Sequence, residues 1–98
     1  MDMDIPERLS AVRRREIGSV KWIHAQDFLR AIRAPANRRI TARIPSGQKT
    51  MVSSQRGARW YERVRELYIA PEAAREIAIN YANYPNAEIR AWIDETQQ

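Results

Sequence analysis

The sequence predicts a single α+β domain, mainly helical, in which an N-terminal helix, a short strand, a helix and a β-hairpin are followed by a three-helix unit. Three observations support this class. The 98 residues suit one domain. Apolar residues change from helical spacing to strict alternation near residue 38 and return to helical spacing after residue 54. Proline and glycine mark the boundaries between these stretches. We divide the chain into an α/β part with a basic hairpin (1–53) and a helical part (54–98).

The first helix is predicted over residues 5–17. Asp4 is a suitable N-cap and Pro6 fits the first helical turn. Gly18 follows as a natural C-terminal stop. The apolar stripe of this helix is thin, with the residues Ile5, Leu9 and Val12.

The next elements are a short strand at 19–23 and a helix at 25–33 that ends before Pro35. From Arg38 to Ile44, apolar and basic residues alternate, which is typical of a half-buried strand with a basic row facing outward. Pro45-Ser46-Gly47 is a turn signal, so residues 38–53 are predicted to form a β-hairpin. The alternative is a short helix at 36–44.

Three amphipathic helices are predicted in the last 45 residues. The first runs from the Ser54 cap to about residue 69, the second starts at Pro71, and the third is capped by Asn86. Their apolar stripes predict a shared core made of Trp60, Val64, Leu67, Ile77, Tyr81, Ile89 and Trp92. Tyr61 and Tyr84 lie off the stripes.

The net charge of +5 is unevenly distributed along the chain. Residues 33–65 hold nine basic side chains and one acidic one, whereas residues 66–98 carry a net charge of −4. Fifteen of the seventeen basic residues are arginine, whose planar guanidinium binds phosphate and carboxylate groups bidentately. Such a block would repel itself unless its side chains spread into solvent or meet an anion, and of these two we favour an anionic partner.

We interpret the protein as a non-catalytic nucleic-acid-binding protein that uses this arginine-rich central face, with duplex DNA as the first partner considered. Phosphate neutralisation would supply most of the affinity. The predicted binding residues are Arg38, Arg39, Arg43, Lys49, Arg56 and Arg59.

A second candidate location for DNA binding lies in the helices of the C-terminal part. The stretch from Ala74 to Ile93 resembles the helix-turn-helix pattern of many bacterial DNA-binding regulators. It departs from that pattern by one extra residue in the connection and by an acidic second helix, where Glu88, Asp94 and Glu95 outweigh Arg90. An acidic helix is unfavourable between two rows of phosphates, so residues 71–96 are interpreted as structural or protein-binding.

The sequence offers little for catalysis. There is no cysteine, and His24 is the single histidine, expected to be partly exposed beside Asp27 at a helix start. These residues could form a dyad, but no activated nucleophile is marked nearby. The sequence therefore predicts no catalytic residue, no metal site and no cofactor.

The alternative function is that of a small phage- or mobile-element-type inhibitor or adaptor that binds an acidic surface of a larger protein machine. This hypothesis rests on the size, the two-signed charge and the lack of catalytic motifs. No apolar run is long enough to span a membrane and the first residues are acidic, so a cytoplasmic protein is expected. The sequence does not distinguish DNA from RNA as the partner, and it does not define the oligomeric state.

Overall fold

The computed structural model describes residues 5–34, 39–53, 67–81 and 86–98. These residues form an α+β fold, which confirms the predicted class. In chain order its elements are α1 (Ile5–Ser10), β1 (Arg14–Ile17), β2 (Val20–His24), α2 (Ala25–Ala31), β3 (Arg39–Arg43), β4 (Lys49–Ser53), β5 (Tyr68–Ile69), α3 (Pro71–Tyr81) and α4 (Asn86–Thr96).

The strands form two antiparallel sheets in the described part of the chain. One has the order β1-β2-β5, and the other consists of β3 and β4 alone. A hydrogen bond of 2.9 Å from the Ala70 amide to the Arg43 carbonyl connects the end of β5 to the end of β3. The basic hairpin is thereby attached to the rest of the domain through its first strand.

The prediction of a helix over residues 5–17 is wrong in its second half. The helix ends at Ser10, and Arg14–Ile17 is a strand that pairs with β2. Asp27 accepts hydrogen bonds from the Arg13 backbone amide at 3.2 Å and from its Nε at 2.8 Å. The Arg13 carbonyl accepts from the His24 amide at 2.8 Å. These partners, distant in sequence, hold the chain extended where local sequence permits a helix.

Gly18 lies in the turn between β1 and β2 rather than at the end of a helix. The register pairs Ile17 with Val20, so Gly18 and Ser19 form a two-residue loop. Gly18 has a φ of 67°, and Ser19 is not among the residues with positive φ. A positive φ at the first loop position alone is the pattern of a type II′ turn, in which glycine is preferred.

The strand prediction at 19–23 and the helix prediction at 25–33 are confirmed as β2 and α2, each within a few residues. The hairpin prediction at 38–53 is also confirmed as β3 and β4, which excludes the alternative helix at 36–44. Its turn includes Gly47 with a φ of 92°. The inner positions Ala42 and Val52 are buried in the core.

The C-terminal helices α3 and α4 begin at Pro71 and Asn86, as predicted. The helix predicted from Ser54 lies outside the described residues except for its end, and there the prediction is wrong. Tyr68 and Ile69 form β5, pairing with His24 and Ile23 of β2. Two residues are too few to show an alternating sequence pattern, so this strand is recognised only from its hydrogen-bonded pairing with β2.

One hydrophobic core connects the elements. Phe28 and Ile32 from the α2 region, Ile23 and Ile69 from the sheet, and apolar residues of α3 and α4 are fully buried. Of the predicted core residues, Ile77 and Ile89 are fully buried, and Leu67 and Trp92 are partly buried against the core. Trp60, Val64 and the side chain of Tyr81 lie outside the described part.

Candidate nucleic-acid interface

The register of the basic hairpin places six residues at alternate positions of β3 and β4, on the set that excludes the buried Ala42 and Val52. We call these positions the ribbon face. Opposite one another across the two strands are Arg39 and Ser53, Thr41 and Met51, and Arg43 and Lys49. The cationic residues are therefore placed towards both ends of the ribbon face, with Thr41 and Met51 between them.

Three side chains of the ribbon face are open to solvent. Thr41, Lys49 and Met51 are exposed, and Met51 retains 55% of its surface. Residues 39–53 include three basic residues and no acidic one. The ribbon face thus combines positive charge with an uncharged centre. Lys49 makes no hydrogen bond or ion pair with the described part of the chain, so its ammonium group is available to a partner.

Arg43 differs from Lys49 because its side chain is engaged within the protein. Its Nη2 and Nε donate to Glu72 Oε1, at 2.5 Å and 3.2 Å. Its guanidinium also lies over the Trp22 ring, 5.0 Å from the centroid. Arg43 therefore connects β3 to the first turn of α3 and covers a buried tryptophan of β2. A phosphate that recruits Arg43 has to compete with Glu72.

The other predicted binding residues are only partly accounted for. Arg39 is in β3, two positions before Thr41. Arg38, Arg56 and Arg59 lie outside the described residues, as do Tyr61 and Tyr84. The structure therefore brings Arg39, Arg43 and Lys49 together on one hairpin, and the contribution of the remaining three arginines stays a prediction.

His24 is buried rather than partly exposed, which corrects the expectation from the sequence. It caps α2, with Nδ1 accepting from the Asp27 amide at 3.3 Å, and Tyr68 contacts its ring edge-on. The Asp27 carboxylate is 3.5 Å from Nδ1. His24 and Asp27 therefore lie together, as the sequence suggested, and the imidazole serves as the N-terminal cap of α2.

Two effects act in opposite directions on Asp27. Burial tends to raise the pKa of its carboxyl group, whereas hydrogen bonds from the side chain and the backbone of Arg13, together with the charge of Arg13, lower it. The net result is a pKa below the usual value for aspartate. This ionised carboxylate joins the start of β1 to α2.

The acidic helix α4 presents its charges to solvent. Glu88, Arg90 and Glu95 are exposed, and Asp94 binds the Arg75 guanidinium of α3 at 2.7 Å. The two helices also pack against each other. This arrangement gives α4 an acidic outer surface, unfavourable for contact with phosphates.

A surface groove that sequence reasoning missed lies between the β1–β2 hairpin and the end of α4. Its volume is about 410 Å³, and its lining residues are Arg14, Glu16, Lys21, Glu95 and Thr96. The Arg14 guanidinium lies 5.5 Å from the centre of the Trp92 ring, and the Lys21 ammonium donates to the Gln98 carbonyl at 2.7 Å. The balanced charges of the groove and these internal contacts indicate a packing junction.

Within the described ranges, no three histidine, cysteine or acidic residues cluster as a metal site would require. No helix in those ranges has the length and apolar character needed to cross a bilayer. Comparison with protein-family models, characterised proteins and solved structures gives no match for this chain.

Proposed function

We propose that this protein binds nucleic acid without catalysis, with duplex DNA as the ligand, through the ribbon face of the β3–β4 hairpin. The observation that carries the proposal is the β3–β4 register. It places Lys49 directly opposite Arg43, next to the exposed Thr41 and Met51, on a hairpin (residues 39–53) whose sequence has no acidic residue. Lys49 supplies a positive charge, and Thr41 and Met51 supply a solvent-facing surface, in the same place. Arg43 contributes its charge only if a phosphate displaces Glu72.

The dimensions of a two-stranded ribbon suit the DNA major groove. Adjacent strands are about 4.8 Å apart, and the major groove of B-DNA is about 12 Å wide. A ribbon of this kind can enter the groove while cations at its ends contact the phosphate rows. Arg39 and Lys49 occupy suitable positions near opposite ends of the ribbon face.

The charge distribution over the whole chain favours the same orientation. Residues 33–65 carry a net charge of +8, and residues 66–98 carry −4. A polyanion would attract the central block and repel the exposed carboxylates of α4. This asymmetry orients the hairpin towards the DNA during approach.

A salt series with random-sequence duplex DNA tests the proposal. Each neutralised phosphate contributes about −0.9 to the slope of log K against log salt. If four to six of the predicted basic residues contact DNA, we expect a slope of roughly −4 to −5. Absence of measurable binding to DNA and RNA at about 50 mM salt, where electrostatic affinity is strong, would overturn the proposal.

A second candidate function is that of a small inhibitor or adaptor, of the phage or mobile-element type, that binds an acidic protein surface. The observation in its favour is β1, which is an edge strand within the described part of the chain and whose four residues are all exposed, including Ile17 at 41%. Exposed edges can accept a strand from another protein. Binding to polyglutamate but not to duplex DNA, at matched charge concentration, would favour this candidate.

A further inference from the structure

We infer that Met51, with Thr41 beside it, contacts thymine methyl groups in the major groove of DNA. This inference rests on the proposed function and specifies which part of the duplex the ribbon face recognises. It concerns the centre of the ribbon face, where charge is absent, rather than its cationic ends.

The geometry makes Met51 and Thr41 one surface. They are directly opposite in the β3–β4 register, and both are exposed. Opposite residues of an antiparallel pair have Cβ atoms about 5 Å apart, so the thioether, the methyl group and the hydroxyl form one continuous patch. Neither side chain makes a hydrogen bond or ring contact with the described part of the protein, so this patch is open to a ligand.

The position of Met51 is what distinguishes it from other exposed apolar residues. Single exposed apolar side chains are common on protein surfaces. Met51 is flanked two residues away by Lys49 and lies on a hairpin with no acidic residue. If cations at the ends bind phosphates, the centre of the ribbon is directed at the base edges.

The chemistry of the patch selects among those edges. Guanine is usually read by arginine or lysine and adenine by asparagine or glutamine, and none of these lies at the centre of the ribbon face. The apolar group in the major groove is the C5-methyl of thymine. The flexible, polarisable thioether of Met51 is suited to pack against it, and the Thr41 hydroxyl can both donate and accept beside it.

Substitution of deoxyuridine for thymidine provides the test. A duplex of the same sequence with deoxyuridine keeps the charge and the hydrogen-bonding edges but lacks the methyl groups. For the wild-type protein, we expect the affinity to fall about fourfold for each bound methyl group that is removed, the ratio equivalent to about 0.8 kcal/mol for burial of one carbon group.

The variant Met51→Ser should lose most of the discrimination between the two duplexes, because only the Thr41 methyl group of the patch remains, and its salt slope should be unchanged because the number of cations stays the same. Ile79→Ser is the matched control, since Ile79 is similarly exposed, at 53%, but belongs to α3. It should keep the wild-type ratio. The thermal midpoint of each variant, measured alongside, should stay close to that of the wild type.

The outcomes separate the inference from the function on which it rests. Wild-type binding of equal strength to both duplexes, or full discrimination retained by Met51→Ser, would overturn the inference and leave DNA binding in place. Tighter binding to duplex RNA than to DNA would also overturn it, because uracil lacks the methyl group. A lack of binding to every duplex would instead overturn the proposed function.

Discussion

The Arg43 guanidinium lies over the ring of Trp22, with its central carbon 5.0 Å from the ring centroid. The same guanidinium binds Glu72. Trp22 is 4% exposed, and its indole nitrogen is buried without a hydrogen-bond partner in the described part of the chain. The Arg43 side chain therefore covers Trp22 of β2 and has a structural role. Lys49, its neighbour across the hairpin, makes no such contact with the described part of the chain, so the two cations are expected to contribute differently.

The first prediction compares these cross-strand neighbours. Lys49→Gln should reduce the magnitude of the DNA salt slope by about 0.9, the contribution of one phosphate contact, without lowering the thermal midpoint. Arg43→Gln should lower the stability by about 1 kcal/mol, because it removes a partly exposed ion pair and a cation–π interaction, and it should change the slope less. Salt titration and thermal unfolding measure the two effects.

Arg90→Gln on α4 is the charge-matched control for Lys49→Gln. Arg90 is exposed on the acidic helix, so its loss should leave the slope unchanged. A larger effect at Arg90 than at Lys49 would place the DNA on the C-terminal helices. The same result would restore the helix-turn-helix hypothesis.

The second prediction concerns the core under α3. Ile77 is fully buried, whereas Ile79, two residues later on the same helix, is 53% exposed. Ile77→Ala should reduce the free energy of unfolding by about 2–5 kcal/mol, and Ile79→Ala by about 0.5 kcal/mol or less. Chemical denaturation measures both. Equal losses would show that the face of α3 assigned to the core is wrong.

The third prediction concerns the turn between β1 and β2. Gly18→Ala places a Cβ at a φ of 67°, where it meets no atom within 4 Å but strains its own backbone. The expected loss is about 1–2 kcal/mol, against a negligible change for Ser19→Ala. Thermal unfolding distinguishes the two variants. A stabilising effect of Gly18→Ala would contradict the positive φ assigned to this position.

The fourth prediction is a pH dependence that originates at Asp27. Its pKa in the folded protein is lowered, against an unfolded value of about 3.9. Ionised Asp27 therefore stabilises the fold above about pH 4, and this contribution is lost as the pH falls through the folded-state pKa. Asp27→Asn should lower the stability at pH 7 and make stability less sensitive to acid.

Asp94→Asn is the control for this pH experiment, because Asp94 also binds an arginine but is 59% exposed. An exposed pair contributes little, so this variant should retain the acid sensitivity of the wild type. Urea unfolding at several pH values below 5 gives the comparison. Acid sensitivity that persists in Asp27→Asn and disappears in Asp94→Asn would contradict the assignment.

The sequence by itself determined the elements whose signals are local. The alternation from Arg38 to Ile44 predicts β3, Pro45-Ser46-Gly47 predicts its turn, and Pro71 and Asn86 predict the starts of α3 and α4. The concentration of arginine at 33–65 is also a property of the sequence alone. These features depend on periodicity, capping and composition, which act over a few neighbouring residues.

Only the tertiary structure decided the elements that depend on distant partners. Residues 14–17 and 68–69 become strands because β2 offers them hydrogen bonds on both of its edges. His24 is buried because it lies between the start of α2, which it caps, and Tyr68 of β5, whose ring contacts the imidazole edge-on. Arg43 occupies the same outward-facing set of strand positions as the exposed Thr41. Its side chain nevertheless contacts Glu72 and Trp22, which belong to elements distant in sequence. Local sequence patterns do not reveal such contacts, because the partners are far apart in the chain and meet only when it folds.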